Sequence, residues 1–420
     1  MQTQSINLYK ELQKHYSRSI NLDLRRIKKV LYKLKNPHLK LKNPINILGS
    51  DGKMSVLTSL KYFLESGKKQ TAAFTSPHLY NLRHRFWLKN KYISLNSIKK
   101  FRKIIEKTRL KLTLFELLTC IFILAAKKEK KISYNLIESG LLFKKDSTNL
   151  WDKPRAQIIT NINYQHQEWV KPKTIYEICK QKVGSLSKKT TIYIAPQEPR
   201  VLKIIKKILK NNPSKKIYSS NWQLINKKNI LFYKDSKNLI PIKSKYILSK
   251  ALISNLCVAI KVALDLGVKT NTIEKTIPVI KFEGRIQYIE NGKLKKLLHQ
   301  NEKLLLDGCH SESSAKNLYN YLKTLNEPLY GIWGMQKNKL PQKFITSFNK
   351  IFKKITTVAI PYELNALSAN KLKNIGEKSG YKMETAVSLT RALSNTSNRE
   401  KKTIVIFGSL YLVGEALRIN

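Results

Sequence analysis
Cysteine is scarce, with 4 residues in a chain of 420. Cys120, Cys179, Cys257 and Cys309 lie far apart and form no C-x-x-C pair, which excludes a zinc ribbon or a disulfide framework and fits a reducing, cytoplasmic interior. Long apolar runs are also missing. The longest, Leu110 to Ala126, carries Lys111 and Glu116 and only reaches the short limit of a membrane span, so it reads as a buried helix. Met1 to Glu11 is polar and lacks the apolar core of a signal peptide, so no membrane partner is expected. Acidic residues are few: 27 Asp+Glu stand against 80 Lys+Arg, for a formal net charge of +53.

What is present is enough for real cores. A hydrophobic fraction of 42% rules out a wholly disordered basic tail, and at roughly 100–200 residues per domain the length suggests two or three domains. The positive charge invites a nucleic-acid reading, because clustered Lys and Arg neutralise phosphates and release counterions. Its make-up argues otherwise. Only 13 of the 80 basic residues are Arg, and Asn reaches 33. Lys, Asn and Ile share A/T-rich codons, so base composition enriches all three together without selection for a partner. The lysines come as pairs such as Lys28-Lys29, Lys206-Lys207 and Lys353-Lys354 within periodic segments, where a solvated helix face explains them. Specific nucleic-acid binding is not expected.

Along the chain, strands alternate with helices. Asn7 to Leu34 shows helical spacing with a break near Ser19 to Asn21, and Asn36-Pro37 ends it. An apolar run, Ile45 to Leu48, leads through Gly49-Ser50-Asp51-Gly52-Lys53-Met54-Ser55 into a helical pattern, Val56 to Ser66. Further strands are expected at Thr71 to Phe74, Ile132 to Ile137 ending on Glu138, Gln157 to Ile162 running into His166, and Thr191 to Ala195. A helix is expected over Ser249 to Leu266. Near Phe282-Glu283-Gly284-Arg285 the pattern resets, and strands follow at Leu304 to Leu306, Gly331 to Trp333, Ile355 to Ile360 and Thr403 to Phe407. The expected fold is α/β: an N-terminal parallel-sheet domain of the P-loop type, residues 1–284, then a smaller Rossmann-like domain, residues 285–420. Ligands of such sheets sit at the carboxyl ends of the strands.

The glycine loop carries the strongest chemical signal. Between a strand and a helix it can wrap backbone N–H groups around phosphates while the helix N-terminus adds favourable partial charge. Lys53 would reach the outer phosphates, and the Ser55 hydroxyl would ligate Mg²⁺. The strict pattern G-x-x-x-x-G-K-[ST] fails, since Ile47 stands at the first Gly position and Met54 follows the Lys. The alternative is a plain glycine turn.

The loop resembles the G-T-N-G-K-G-S loop of the folate branch of the Mur-ligase superfamily, the dihydrofolate synthases and folylpolyglutamate synthases. Thr75-Ser76-Pro77-His78-Leu79 resembles that branch's S-S-P-H-L, and Arg83-His84-Arg85-Phe86 the R-E-R-I after it. Thr113-x-Phe115-Glu116-x-x-Thr119 resembles its T-x-F-E-x-x-T helix. Glu138-x-Gly140 with Asp146-Ser147-Thr148-Asn149 resembles E-V-G-L-G-G-R-x-D-A-T-N, and Lys182-Val183-Gly184 resembles E-K-A-G. Gly284-Arg285 is similar to P-G-R, Asp307-Gly308-Cys309-His310 to D-x-A-H-N, and Gly408-Ser409-Leu410-Tyr411-Leu412-Val413-Gly414-Glu415 is the nearest match. Order and spacing agree from about residue 8 to residue 416.

The resemblance implies an ATP-dependent ligase that adds L-glutamate to dihydropteroate, to tetrahydrofolate or to both, through an acyl phosphate. It implies ATP and two Mg²⁺ sites as cofactors, with the active site between the two domains and a monomeric chain. Gly49, Ser50, Asp51, Gly52, Lys53 and Ser55 would hold the phosphates. Ser55, Ser76 and Glu138 would hold one Mg²⁺, all through oxygen as a hard cation prefers. His166 would hold a second, and Lys182 aligns with a lysine that is carbamylated in this family. Asn255 and Arg285 would contact adenine and phosphates, while Asp307 and His310 would close over the nucleotide from the second domain. Ser17 to Arg25 and the residues after His78 would meet the pterin. Such chemistry holds two polyanions together and needs cations and N–H donors, not a side-chain nucleophile.

Several family positions are altered. Met54 replaces a Gly, Asp51 an Asn, Gln165 the Asp before the metal His, and Gln181 the Glu before the carbamylated Lys. Leu142-Phe143-Lys144 stands for G-G-R and Ser311-Glu312 for N-P. A second reading is therefore a catalytically weakened relative that acts as a basic nucleotide- or nucleic-acid-binding protein.

Overall fold
The computed structural model describes residues 2–17 and 21–420; the expected helix break near Ser19, and Arg18 to Ile20 within the pterin-contact stretch, lie outside these. Contacts divide the chain into two compact units. The first runs to Lys245 and resumes over Leu252–Ile280, and the second takes Tyr246–Ala251 with Lys281–Asn420.

The first unit is built on strands β1 (Pro44–Leu48), β2 (Thr71–Phe74), β3 (Phe86–Leu88), β4 (Lys91–Tyr92), β5 (Tyr134–Glu138), β6 (Ala156–Ile159), β7 (Thr191–Ile194) and β8 (Lys215–Tyr218), in the order β4-β3-β2-β5-β1-β6-β7-β8. From β2 to β8 all pairings are parallel, whereas β3 and β4 add an antiparallel edge, so the sheet is mixed rather than purely parallel. All five residues of β1 are buried, as expected of a strand covered on both faces. It lies between β5 and β6, although β2 follows it in sequence. That reversal of strand order places the turn after β1 at a switch point, where a doubly wound sheet opens a crevice. Register aligns Ile47 with Glu138, Leu48 with Ile159 and Phe74 with Ile137, so the carboxyl ends of β2, β5, β1 and β6 stand side by side.

One face of this sheet is covered by the helices Gln2–His15, Leu24–Lys33 and Leu114–Lys128, whose Leu12, Val30, Ile121 and Phe122 share a core with Phe74. Leu114–Lys128 is the apolar run read as a buried helix, and eleven of its residues are buried. A capping box starts it: the Thr113 N–H donates to Glu116 Oε2 at 2.7 Å, and the Glu116 N–H to Thr113 Oγ1 at 3.4 Å. Glu116 also accepts from Arg26 at 2.9 Å. The Thr-x-Phe-Glu motif is thus explained by helix initiation and packing. The other face carries the helices Ile175–Val183 and Pro199–Ile208 over Leu48, Ile159 and Ile194.

A separate antiparallel sheet of β9 (Gln223–Lys227), β10 (Ile230–Lys234) and β11 (Leu239–Pro241) has no counterpart in the sequence reading. Its strands are short, with only two residues buried, so they lack the apolar pattern that marks the main sheet. The second unit holds β12 (Gln287–Tyr288), β13 (Glu302–Asp307), β14 (Leu329–Trp333), β15 (Lys354–Thr357), β16 (Met383–Thr385) and β17 (Lys402–Phe407) in the order β12-β13-β17-β14-β15-β16, parallel except for β12. The four cysteines are free and buried. Among the described residues no helix is long and apolar enough to cross a membrane.

Candidate active site
The turn after β1 needs its two glycines for different reasons. Gly49 has φ +142°, and a Cβ there would sit 2.1 Å from Thr160 Oγ1; Gly52 has φ +88°, and a Cβ there would meet Asn255 Oδ1 at 2.5 Å. Both conformations strain residues that carry a side chain. The loop is therefore pressed between the β6 turn and Asn255. Gly52 is the N-cap of the helix Lys53–Ser66, so the first helical turn contains Lys53, Met54 and Ser55 with its unsatisfied N–H groups. Lys53 Nζ folds back onto its own loop, donating to Ser50 O at 3.0 Å and Gly49 O at 3.3 Å. An ammonium whose partners are loop carbonyls can be drawn to a phosphate without breaking an ion pair.

Three neighbouring strand ends add to this loop. Glu138 closes β5, is 3% exposed, and its Oε2 accepts from the Ser76 N–H at 3.0 Å, which brings Ser76 of the β2 turn and Glu138 together. After β6, Asn161 O accepts from the N–H groups of Ser50 at 2.8 Å and Asp51 at 3.2 Å. Asn163 Nδ2 donates to Asp51 Oδ2 at 2.7 Å, and Gln165 Nε2 to Asp51 Oδ1 at 2.9 Å. His166 follows directly, at φ +64°, with its Nδ1 3.9 Å from Glu168 Oε1.

Lys182 lies beneath the loop. Its side chain is 1% exposed, and Nζ donates to Gly49 O at 2.9 Å and Leu141 O at 3.0 Å. Burial, then the nearby Lys53 ammonium, pushes it down to about 7, while Asp146 and Asp51 pull the other way. Leu141 O is set by Asp146, whose Oδ2 accepts from the Gly140 and Leu141 N–H groups at 3.1 and 3.0 Å and whose Oδ1 accepts from the Thr148 N–H at 2.9 Å. Burial raises the Asp146 carboxyl above its usual range, against these donors. Leu142 and Phe143, in place of G-G-R, are buried in the sheet-face core. Gln181 donates to Glu177 Oε1 at 2.8 Å, within its own helix.

Arg285, Asp307 and His310 belong to the second unit. Asp307 ends β13 and is fully desolvated, which raises its carboxyl, with Arg285 acting in the opposite sense. It accepts from the Cys309 N–H at 2.8 Å and the Ile286 N–H at 2.9 Å. Ile286 has φ +43°, a rare conformation for a β-branched residue. Asp307 thus fixes the turn that carries Arg285, and Ser311 caps the next helix. His310 Nδ1 lies 2.9 Å from Gly308 O.

Two features escaped sequence reasoning: Asn163 as a partner of Asp51, and Asp146 as the organiser beneath Lys182. Both depend on bonds to side chains or turns brought in from other strands.

The donor set suits a hard cation. Ser55, Ser76 and Glu138 offer hydroxyl and carboxylate oxygens, and a buried carboxylate at a strand end is stabilised by a cation. Among the described residues no three His, Cys, Asp or Glu side chains gather as a metal cluster.

Comparison with known proteins finds similarity along the whole chain. A family described as dihydrofolate synthetase, C-terminal domain, matches residues 289–419. The dihydrofolate synthetase of Saccharomyces cerevisiae is 27% identical over 441 residues, covering 96% of this chain and 98% of its own. The Mycobacterium tuberculosis folylpolyglutamate synthase complexed with ADP superposes with a TM-score of 0.85 at 18% identity, covering 100% of this chain and 98% of that one. A bifunctional folylpolyglutamate synthase/dihydrofolate synthase with Mn, AMPPNP and L-glutamate bound gives 0.83 at 19% identity, covering 100% and 98%.

Proposed function
We propose that this chain, a member of the dihydrofolate synthase and folylpolyglutamate synthase family, is a Mg·ATP-dependent ligase that joins L-glutamate to the carboxylate of dihydropteroate, of tetrahydrofolate or of both. The observation that carries the reading is the strand-end cluster. A loop with two positive-φ glycines and Lys53 at a helix N-terminus stands beside Ser76, Glu138 and the loop leading to His166.

In this reading residues 1–284 hold ATP and residues 285–420 are the glutamate-ligase part. The loop N–H groups and Lys53 hold the phosphates while the substrate carboxylate attacks the γ-phosphorus, giving an acyl phosphate and ADP. The glutamate amine then attacks the acyl carbon, loses a proton, and phosphate leaves. Lys53, released from its loop carbonyls, follows charge as it builds on the transferring group. Ser55, Ser76 and Glu138 would hold one Mg²⁺ and His166 a second, and the cation would neutralise phosphate charge. Asn255 supports the loop from its far side. Arg285, Asp307 and His310 serve the nucleotide, with Asp307 acting through the Arg285 turn.

Lys182 is the proposed carbamylation site. With its ammonium pushed down to about 7, much of it is neutral near physiological pH, and only the neutral amine adds CO₂. A carbamate keeps one N–H, so one of the two carbonyl bonds survives.

The test is phosphate release with dihydropteroate or tetrahydrofolate plus glutamate and Mg·ATP, beside calorimetric titration of the nucleotide. Release that depends on glutamate and on one or both acceptors is expected, and the pattern distinguishes single from dual function. Absence of both binding and turnover would sink the proposal. The charge of +53 and the altered positions Met54, Gln165, Gln181 and Ser311 favour a second reading as a weakened, basic binding protein. Filter binding of nucleic acid that survives physiological salt would support it, because diffuse charge attraction does not.

A further inference from the structure
A carboxylate in a phosphate loop is an anomaly, since Asp51 faces the repulsion of every phosphate the loop accepts. Simple electrostatics would therefore have its loss tighten nucleotide binding. Its surroundings suggest why it is kept. Both carboxylate oxygens take amide N–H donors from one short stretch after β6, Asn163 at 2.7 Å and Gln165 at 2.9 Å. The same stretch is stitched to the loop by backbone: the Ser50 and Asp51 N–H groups reach Asn161 O, and the Asn163 N–H donates to Ser50 Oγ at 3.1 Å. Asn163 Nδ2 also donates to Asn161 Oδ1 at 3.1 Å, and a flipped amide would set its oxygen against the Asp51 carboxylate, so the orientation is determined. Residues 160–166 form no helix and no strand, and His166 sits at φ +64° at their end. The start of the stretch is held separately, by the Ile162 N–H to Gln197 Oε1 at 2.9 Å and by the buried Ile162 side chain, whereas the Asp51 bonds fall on Asn163 and Gln165, next to His166.

We propose that Asp51 is a positioning residue that, through Asn163 and Gln165, latches the loop carrying His166 to the phosphate loop, so that the two move and bind as one piece. The inference rests on the ligase reading for its consequence in turnover, but the latch itself is a property of the protein without ligand. Charge-assisted hydrogen bonds are roughly twice as strong as neutral ones, and the pair is held by one carboxylate and two amides. The resemblance noted above has an amide at position 51 and a carboxylate at position 165. Here the carboxylate stands at position 51 and the amide at position 165, and the two are joined at 2.9 Å.

This makes a suppressor experiment decisive. Gln165→Glu sets two carboxylates against each other at equal side-chain length, and adding Asp51→Asn to it restores one carboxylate and one amide with their places exchanged. Hydrogen exchange of the unliganded protein reads the latch, and calorimetric titration of AMPPNP with Mg²⁺ together with phosphate release reads the consequence. In Gln165→Glu, protection of the Asn163 amide should fall by about tenfold or more, and kcat by about 10–100-fold, with nucleotide affinity within about threefold of the unaltered protein. In the double variant all three should return to within about threefold. A thermal melt confirms that both variants are folded. Unchanged protection in Gln165→Glu, or a double variant as impaired as the single one, overturns the latch. If the unaltered protein binds no nucleotide and releases no phosphate while protection falls and recovers as stated, the latch stands and the ligase reading fails.

Discussion

The two larger sheets each place a polar turn at the carboxyl end of a strand with a parallel neighbour, and the turns solve opposite problems. After β1, Lys53 is bound only by loop carbonyls, both glycines are forced into left-handed backbone, and the acid Asp51 is held by side-chain amides. After β13, the acid Asp307 is buried, consumed by two backbone N–H groups, and used to hold Ile286 at a positive φ. The first turn ties its ammonium to carbonyls and its acid to side-chain amides, and the second spends its acid on backbone N–H groups. The same residue type near the ends of two strands thus does different work, because its partners differ.

The comparison can be broken by substitution. The largest effect is expected from Lys53→Ala, which should lower kcat by about 100-fold or more while leaving the urea midpoint nearly unchanged, since its partners are loop carbonyls that water can replace. Phosphate-release rates and denaturation curves on the same preparation check both halves. Unchanged turnover would remove Lys53 from the phosphate role. Asp307→Asn should show the reverse, a loss of about 1–3 kcal/mol in stability because one backbone N–H is left without an acceptor in a buried turn. The same change at Asp51 should cost less stability, as its partners are exposed enough to take water.

Gly52→Ala and Gly308→Ala sharpen the contrast further. The first fails on backbone as well as space, at φ +88° with Asn255 Oδ1 at 2.5 Å; the second fails on space alone, with Leu410 Cδ2 at 2.4 Å. Replacing Leu410 with Ala alongside Gly308→Ala should recover stability lost to the clash, whereas Asn255→Ala should not rescue Gly52→Ala. Chemical denaturation of the four variants gives the answer.

The smallest effect concerns pH. Lys182 has a folded pKa of about 7 against an ordinary 10.5, so between these values the unfolded chain binds more protons than the folded one. Stability must then rise with pH across that window and carry the full cost of burying the ammonium below it. In bicarbonate-free buffer the unaltered protein should gain stability relative to Lys182→Met between about pH 7 and roughly pH 10. A difference independent of pH would show that the ammonium is not desolvated as the geometry indicates.

Much of the first turn was legible in the chain because its signals are local. Gly49, Gly52, Lys53 and Ser55 stand within seven positions between an apolar strand and an amphipathic helix, and each residue type states its own constraint. The capping box at Thr113 and Glu116 is local too. Lys182 was visible only through resemblance, since one Lys among so many has no pattern; its partner Gly49 is 133 residues away. The Asp51 to Gln165 bond spans 114 residues, so each looked like an isolated departure. Read apart they suggest damage, and together they complete one hydrogen bond.

By itself the sequence determined where strands and helices alternate, that a glycine turn with Lys53 joins β1 to the following helix, and that the excess of lysine is spread along the chain and not gathered in an arm. Those properties follow from side-chain periodicity and backbone preference within a few residues. Only the tertiary structure decided which strands are neighbours, that an antiparallel edge completes the first sheet, which acids are consumed by backbone and which by amides, and that burial pushes the Lys182 ammonium down. Pairing order, desolvation and hydrogen-bond partnership arise between segments far apart in the chain, and a carboxylate or an ammonium acquires its chemistry from what surrounds it.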